Sequence, residues 1–385
     1  MFSTSLRMKT VNLKKTLTSD AKGLLSLYEA ANVRIHGEDV LEDAVAFTSH
    51  HLNRMVQELE PPLQCQVKRA LEQPVHRGVP RLEARHYISF YERNEPKNDI
   101  LLKLAKLDFN YLQNLYKKEL HDLSRLVEGY FWGTAFRFQP QHSYARIAIT
   151  KSVLMLTIMD DTYDNYATLE EADLFTEILE KWDINEIDRL PDYMKIIYKF
   201  ILNLYEEYEV EAAKQGKLFA VPYAKEAVKQ IAKAYNRHTQ WFLGGQMPTY
   251  EEYMVNTVVT SCIYVFLTVG IPGLKSASKE AIDWVMSEPN KALIASTRVC
   301  RHADDIGSDE KETVDKFKQL CENAWKDFNT EWSTEISTVS KDMMEQLLNY
   351  ARAAEVNYRN GRDAYTHPQK IAGQIAAVFM HPIAI

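Results

Sequence analysis

Apolar residues recurring at helical spacing, window after window, restrict this chain more than any other feature. From Leu126 onward the pattern predicts helices over 126–137, 141–163, 170–180, 190–216, 222–242, 248–268, 278–286, 289–306, 312–328 and 341–359. Pro140, Pro191, Pro222, Pro248, Pro272 and Pro289 fall at starts or turns between them. Earlier, Asp20 is placed to cap a first helix, Gly37 interrupts a second, and Leu41 to Leu59 is periodic up to Pro61-Pro62. A run to Gln73 follows, then a basic turn from Pro74 to Arg81, a helical Leu82 to Tyr91, and a long pattern opening at Asn98. No strand-like alternation recurs, so the fold class is all-α. No fixed-period repeat appears, which disfavours a solenoid.

Net charge is -7 and no long basic patch stands out, so no nucleic-acid partner is expected. An acidic protein that binds a polyanion needs a metal between the two. Cys65, Cys262, Cys300 and Cys321 show no paired ligand spacing and read as thiols in a reducing compartment. The first twenty residues are basic with Ser and Thr, but no secretory apolar core follows. The most apolar run, Val255 to Ile271, is interrupted by Thr, Ser, Cys and Tyr and reads as one buried helix without stable membrane insertion.

Two acidic motifs carry chemistry. Asp160-Asp161-Thr162-Tyr163-Asp164 follows the apolar stretch Val153 to Met159, and on a helix positions 160, 161 and 164 share a face. Carboxylates this close repel one another, and magnesium, which prefers hard oxygen ligands, offsets that. By itself the motif also suits a solvated helix end. A second cluster, Arg301-His302-Ala303-Asp304-Asp305-Ile306-Gly307-Ser308, ends another apolar helix. Asp304, Ser308 and Glu312 sit at i, i+4 and i+8, one face if the helix runs on. Arg301, one turn earlier, could meet a metal-bound diphosphate. His142, His238 and His302 form no ligand spacing with one another, and His302 reads as a packed residue.

The stretches RLEARHYISFYE, YFWGTAFRFQPQHSYAR, DDTYDNYATLEE, GGQMPTYEEYMVN and DAYTHP, with others covering almost the whole chain, resemble the plant class I terpene synthases of the angiosperm sesquiterpene type. The resemblance implies a class I terpenoid synthase helical bundle at 97–385, preceded by a truncated α-helical N-terminal domain at 1–96. It implies metal ligation by Asp160, Asp161, Asp164, Asp304, Ser308 and Glu312, and diphosphate contact by Arg301. Trp132 matches the aromatic that lines the product pocket, and Asp363 and Tyr365 match the acid and tyrosine near the closing C-terminal loop. Thr260, Ser261 and Cys262 match the polar segment at a broken helix beside the cavity. Three Mg2+ ions, with Mn2+ as an alternative, a farnesyl diphosphate substrate, a monomer and a cytoplasmic location follow from the same resemblance.

Departures from the family pattern are expected to matter. The N-terminus starts well inside the family's first domain. LHDLSR runs directly into LVEGYFW, without the loop whose Arg-Asp-Arg end caps the diphosphate, leaving Arg125 at the junction. DDIGS runs directly into DEKETVDKF, so Glu312 holds its spacing to Asp304 by position alone, and Ser333 to Met343 matches the family linker poorly. Phe131, Phe136, Trp241 and Tyr264 are further candidates for the pocket lining, each balanced against an ordinary core role, whereas Trp132 and Tyr365 are placed there by the resemblance. Three rival functions remain open: a monoterpene synthase using geranyl diphosphate, a chain-elongating prenyl diphosphate synthase, and an impaired helical remnant.

Overall fold

The computed structural model describes residues 17–94, 96–123, 127–275, 277–287, 289–305, 311–335, 341–359, 361, 363–364 and 367–385, without the side chains of 311, 312 and 335. Among these residues the regular structure is helical and no strand occurs. The N-terminal part comprises α1 (Ala21–Ala31), α2 (Asp39–Met55), α3 (Pro61–Glu72) and α4 (Pro80–Glu92). Asp20 caps α1 by accepting from the Gly23 N–H at 3.0 Å. Gly37, at φ 85°, makes the turn into α2. Leu24, Tyr28, Leu52, Val56, Val67 and Ala70 form a small core here.

The main body begins with α5 (Asp99–Asp122), capped by Asn98, and continues through α6 (Val127–Phe136), α7 (Ser143–Asp161), α8 (Leu169–Lys181), α9 (Asp192–Lys214) and α10 (Val221–Leu243). Then come α11 (Tyr250–Thr260), α12 (Ile263–Gly270), α13 (Lys279–Val285), α14 (Lys291–Asp304), α15 (Lys311–Glu335), α16 (Lys341–Tyr358) and α17 (Ala372–Phe379). One large core joins them, and Val79 and Leu82 from the N-terminal side of residue 96 pack into it. The helix α17 was not expected from periodicity. Its Phe379 packs edge-on against Tyr116 at 6.0 Å and Phe131 at 6.4 Å, which ties the C-terminus to α5 and α6.

One close approach fixes how α6 and α7 cross. A Cβ on Gly133 would lie 2.6 Å from the Arg146 carbonyl oxygen, so only glycine lets α6 and α7 cross this tightly. Behind that crossing, the fully buried Arg146 donates to Glu119 through Nε at 2.9 Å and Nη2 at 2.7 Å. Tyr130 donates to the same carboxylate at 2.5 Å.

Sequence periodicity anticipates one helix over 248–268, and the structure breaks it. Cys262 takes φ 66°, a left-handed conformation costly for a side chain other than glycine, and separates α11 from α12. Tyr350 holds the break by donating to the Ser261 carbonyl at 2.8 Å. Tyr250–Gly273 is the one segment among the described residues long and apolar enough to cross a membrane, yet 61% of its apolar 18-residue window is buried inside the fold. The buried share explains its apolarity as core packing.

The N-terminal helices dock on α15 through charge. Arg77, 3% exposed, donates to Glu322 at 2.8 Å, and Arg34 donates to the same carboxylate at 3.0 Å. Burial pushes the Glu322 carboxyl up, but Arg77 and Arg34 outweigh it and hold it at about 2, below its ordinary 4.5. A lowered acid value stabilises the fold above the ordinary value, and that contribution fades as pH falls from about 4.5 toward 2. Arg77 lies 5.2 Å above the Trp325 ring, so acid undocking should appear as a tryptophan fluorescence change across that window. In E322Q the pH-dependent step should flatten.

Candidate active site

The first acidic motif closes α7. Ile149, Val153, Met155, Leu156 and Met159 bury one side of that helix, which aims its last turn at the interior. The chain then widens into a π turn over Thr162–Tyr166, closed by the Ala167 N–H on the Thr162 carbonyl at 2.8 Å. Of the three motif carboxylates, Asp160 and Asp164 line cavities. Asp161 lies outward, exposed, and accepts from the Asn165 amide at 3.2 Å. The one-face expectation for all three therefore holds for the i, i+4 pair, because position 161 sits about a quarter-turn away.

The second acidic motif closes α14. Arg301 pairs with Asp304 at 2.9 Å and with Asp305. Tyr253 on α11 donates to Asp305 at 3.1 Å and accepts from Arg301 at 3.3 Å. Helix α14 ends at Asp304; Ser308 lies outside the described residues, and Glu312 starts the next helix with its side chain undescribed. Arg125 and Tyr365 also lie outside the described residues.

Between the two helix ends is an inner cavity of about 270 Å³. Asp160, Arg301, Asp304 and Asp363 line it within electrostatic reach of one another, while Trp132, Phe266, Tyr350 and Tyr358 supply aromatic surface. Trp132 is 6.0 Å from Tyr350 and 6.5 Å from Tyr358, centroid to centroid. Thr260, Ser261 and Cys262, at the break between α11 and α12, form part of the same wall. Asp363 takes φ 36° beside Asp304. An outer cavity of about 810 Å³ adjoins it, and Asp160, Tyr235, Thr260 and Arg301 border both.

The proposed lining aromatics separate in space. Trp132 faces the inner cavity and Trp241 the outer one. Phe131 and Phe136 are core residues, 1% and 0% exposed, and do not line either cavity. Tyr264 faces a different cavity, with Val255, Asn256 and Val259. Phe266, Tyr350, Tyr358 and Tyr235 were not foreseen. The i, i+8 spacing of Tyr350 and Tyr358 places both on one face of α16, a signal visible in the sequence.

The electrostatics are those of a site short of positive charge. Burial, then Asp164 and Asp161, push the Asp160 carboxyl up to about 7. Burial and Asp161 raise Asp164 as well. Burial raises Asp304, with Arg301 acting against it. Burial opposes the charge on Arg301, and Asp304 and Asp305 more than offset that, so it stays protonated. Burial pushes the Cys262 and Cys300 thiols to about 12, which keeps them neutral beside the cavity. His302, 2% exposed and 6.1 Å from the Phe317 ring, is held neutral by burial.

Divalent cations fit this donor set. Asp160 makes no ion pair among the described residues, and two further carboxylates face the same space. Among the described residues no three His, Cys, Asp or Glu side chains converge as a complete metal cage. Magnesium does not require one, since it commonly takes one or two carboxylates and completes its shell with phosphate oxygens and water.

Comparison with known proteins follows the same line. Residues 115–347 match the metal binding domain of the terpene synthase family, and residues 4–71 match the terpene synthase N-terminal domain. The chain is 46% identical to gamma-cadinene synthase of Ocimum basilicum over 408 aligned positions, covering 95% of this chain and 75% of the relative. It is 40% identical to tau-cadinol synthase of Lavandula angustifolia, covering 96% and 74%. Because the first alignment, at 408 positions, is longer than the whole 385-residue chain, that relative carries residues inside the matched span that this chain lacks. The fold superposes on grey poplar (Populus x canescens) isoprene synthase, in complex with three Mg2+ ions and dimethylallyl-S-thiolodiphosphate, with a TM-score of 0.88, 29% identity, and coverage of 96% and 78%.

Proposed function

Since the chain belongs to the terpene synthase family, we propose that it ionises farnesyl diphosphate with the help of divalent metal ions and cyclises or rearranges the resulting cation to a sesquiterpene. The observation that carries this reading is one cavity lined both by Asp160, Arg301 and Asp304 and by the aromatic residues Trp132, Phe266, Tyr350 and Tyr358. A prenyl diphosphate has the matching polarity, an anionic head on an apolar tail. Cadinene and cadinol are C15 products, and the relatives named for them are 46% and 40% identical, against 29% for the isoprene synthase. That ranking favours farnesyl over dimethylallyl diphosphate.

Asp160, Asp164 and Asp304 would hold the ions, and Ser308 and Glu312 are carried from the resemblance as further ligands. Magnesium, in the number seen with the poplar enzyme, would neutralise the diphosphate and stabilise it as a leaving group. Arg301 would exchange part of its contact with Asp304 and Asp305 for phosphate oxygens, a charge-assisted bond of the same kind. The C1–O bond breaks, both electrons leave with the diphosphate, and an allylic cation remains in the inner cavity. The aromatic faces stabilise that cation without capturing it. The neutral Cys262 and Cys300 thiols are poor nucleophiles, which suits a cavity that must not trap its own intermediate. Loss of one proton from carbon completes a hydrocarbon; addition of water followed by loss of a proton from its oxygen gives an alcohol. We propose a monomer, located in the cytoplasm.

The test is diphosphate release from geranyl, farnesyl and geranylgeranyl diphosphate, each with magnesium and with or without isopentenyl diphosphate. Fastest release from farnesyl diphosphate, unaffected by isopentenyl diphosphate, supports the reading. Dependence on isopentenyl diphosphate would instead identify a chain-elongating enzyme, and faster release from geranyl diphosphate a monoterpene synthase.

A further inference from the structure

Three polar atoms around the outer cavity are buried and lack any hydrogen-bond partner: His238 Nε2, Thr260 Oγ1 and Arg301 Nε. They come from three helices, α10, α11 and α14, and so converge only in the folded chain. Buried polar atoms are usually satisfied, and one polyatomic acceptor in the cavity that these three residues line would meet all three. Arg301 Nε is a donor only, the Thr260 hydroxyl can donate, and a neutral imidazole protonated at Nε2 donates as well. A cation alone would leave Arg301 Nε unmet, since that atom only donates. A diphosphate offers acceptor oxygens only, and arrives with the cations that Asp160 and Asp164 on the same cavity need. The His238 ring is also fixed in place, stacked at 15° on Tyr253 and packed 5.5 Å from Trp241, centroid to centroid.

We propose that His238 and Thr260 bind the diphosphate group of substrate and product, donating from Nε2–H and Oγ1–H beside Arg301. This assignment rests on the reading that a metal-bound prenyl diphosphate occupies the site. It places the leaving group toward the outer cavity and the hydrocarbon in the inner one, with Thr260 at the border between them. His238 is then a binding residue that the acidic motifs do not reveal.

Calorimetric titration with inorganic diphosphate in the presence of magnesium tests it without turnover. H238F keeps the ring stack and T260V keeps the side-chain shape, so both should fold with unchanged thermal midpoints. Each should weaken diphosphate binding about tenfold, the usual worth of one hydrogen bond to a charged group. H238Q retains an N–H at similar reach and should recover most of the loss. If H238F melts early, H238L serves as a second variant without a donor. Parental affinity in the non-donating His238 variant, or in T260V, while D160N abolishes binding, overturns the assignment of that residue. Absence of magnesium-dependent binding by the unsubstituted chain overturns this assignment and the functional reading together.

Discussion

Asp160→Asn is expected to remove turnover almost completely and, at the same time, to make the metal-free chain more resistant to heat. The two effects have one cause. Asp160 lines the inner cavity, where burial and the neighbouring Asp164 and Asp161 push its carboxyl up to about 7. A raised acid value means that the folded chain favours the protonated form. The penalty is absent below the ordinary 3.8, grows as pH rises, and is complete above about 7. With allowance for its partial exposure, it amounts to about 2 kcal/mol at pH 8. Asparagine removes it, so the melting temperature without metal should rise by a few degrees at pH 8 and less at pH 5. The same change removes a ligand for the ions that neutralise the leaving group. A loss of about a thousandfold in turnover, or about 4 kcal/mol of barrier, is expected. Unchanged product formation by D160N would exclude Asp160 from the chemistry, and an unchanged melting temperature would exclude the strain.

Glu119→Ala should have the largest effect on stability. Arg146 is fully buried and donates to Glu119 through two nitrogens, and Tyr130 donates to the same carboxylate. Removing the acid leaves an arginine charge inside the α5–α6–α7 junction without a carboxylate, met by the carbonyls of Arg137 and Gln139 and by the Tyr116 ring 5.2 Å away. Breaking one side of a buried pair costs about 3–5 kcal/mol. The same junction sets the spacing between α6, which carries Trp132, and α7, which carries Asp160, so E119A should also blur product selectivity in whatever fraction stays folded. The double variant E119L/R146M removes both charges and should recover much of the stability, because replacing a buried pair by apolar groups is often close to neutral. Chemical denaturation of the three chains decides between these outcomes. An E119A midpoint equal to the parent's would show that the pair is not structural.

Helix existence was legible in the sequence because the apolar spacing of α7, α9, α10 and α14 reports packing directly. The break at Cys262 was invisible to that spacing, since both halves of Tyr250–Gly273 bury apolar faces and only the left-handed φ of one residue separates them. It was foreseen only through the resemblance that singled out Thr260, Ser261 and Cys262. Helix α17 was missed because it is short and gains its place from Tyr116, Tyr130 and Phe131, residues far away in the chain.

The candidate site divides in the same way. Asp160 and Asp304 were readable as charges ending apolar helices, which local sequence records. The outward position of Asp161 follows from the quarter-turn step between neighbouring helix positions, which local sequence also carries. The lining by Phe266, Tyr350 and Tyr358, and the core positions of Phe131 and Phe136, depend on how helices roll against one another. A sequence carries that roll only in the sum of all its contacts. His238 was noticed and set aside because it lacks ligand spacing; its importance comes from an unpartnered Nε2, a property of the fold alone.

Gas-chromatographic analysis of the products formed from farnesyl diphosphate and magnesium, with a chelated control, tests the central claim most directly. The account predicts C15 hydrocarbons or alcohols that vanish on chelation and are lost in D160N. Farnesyl diphosphate recovered intact, or products that persist without metal, would contradict it.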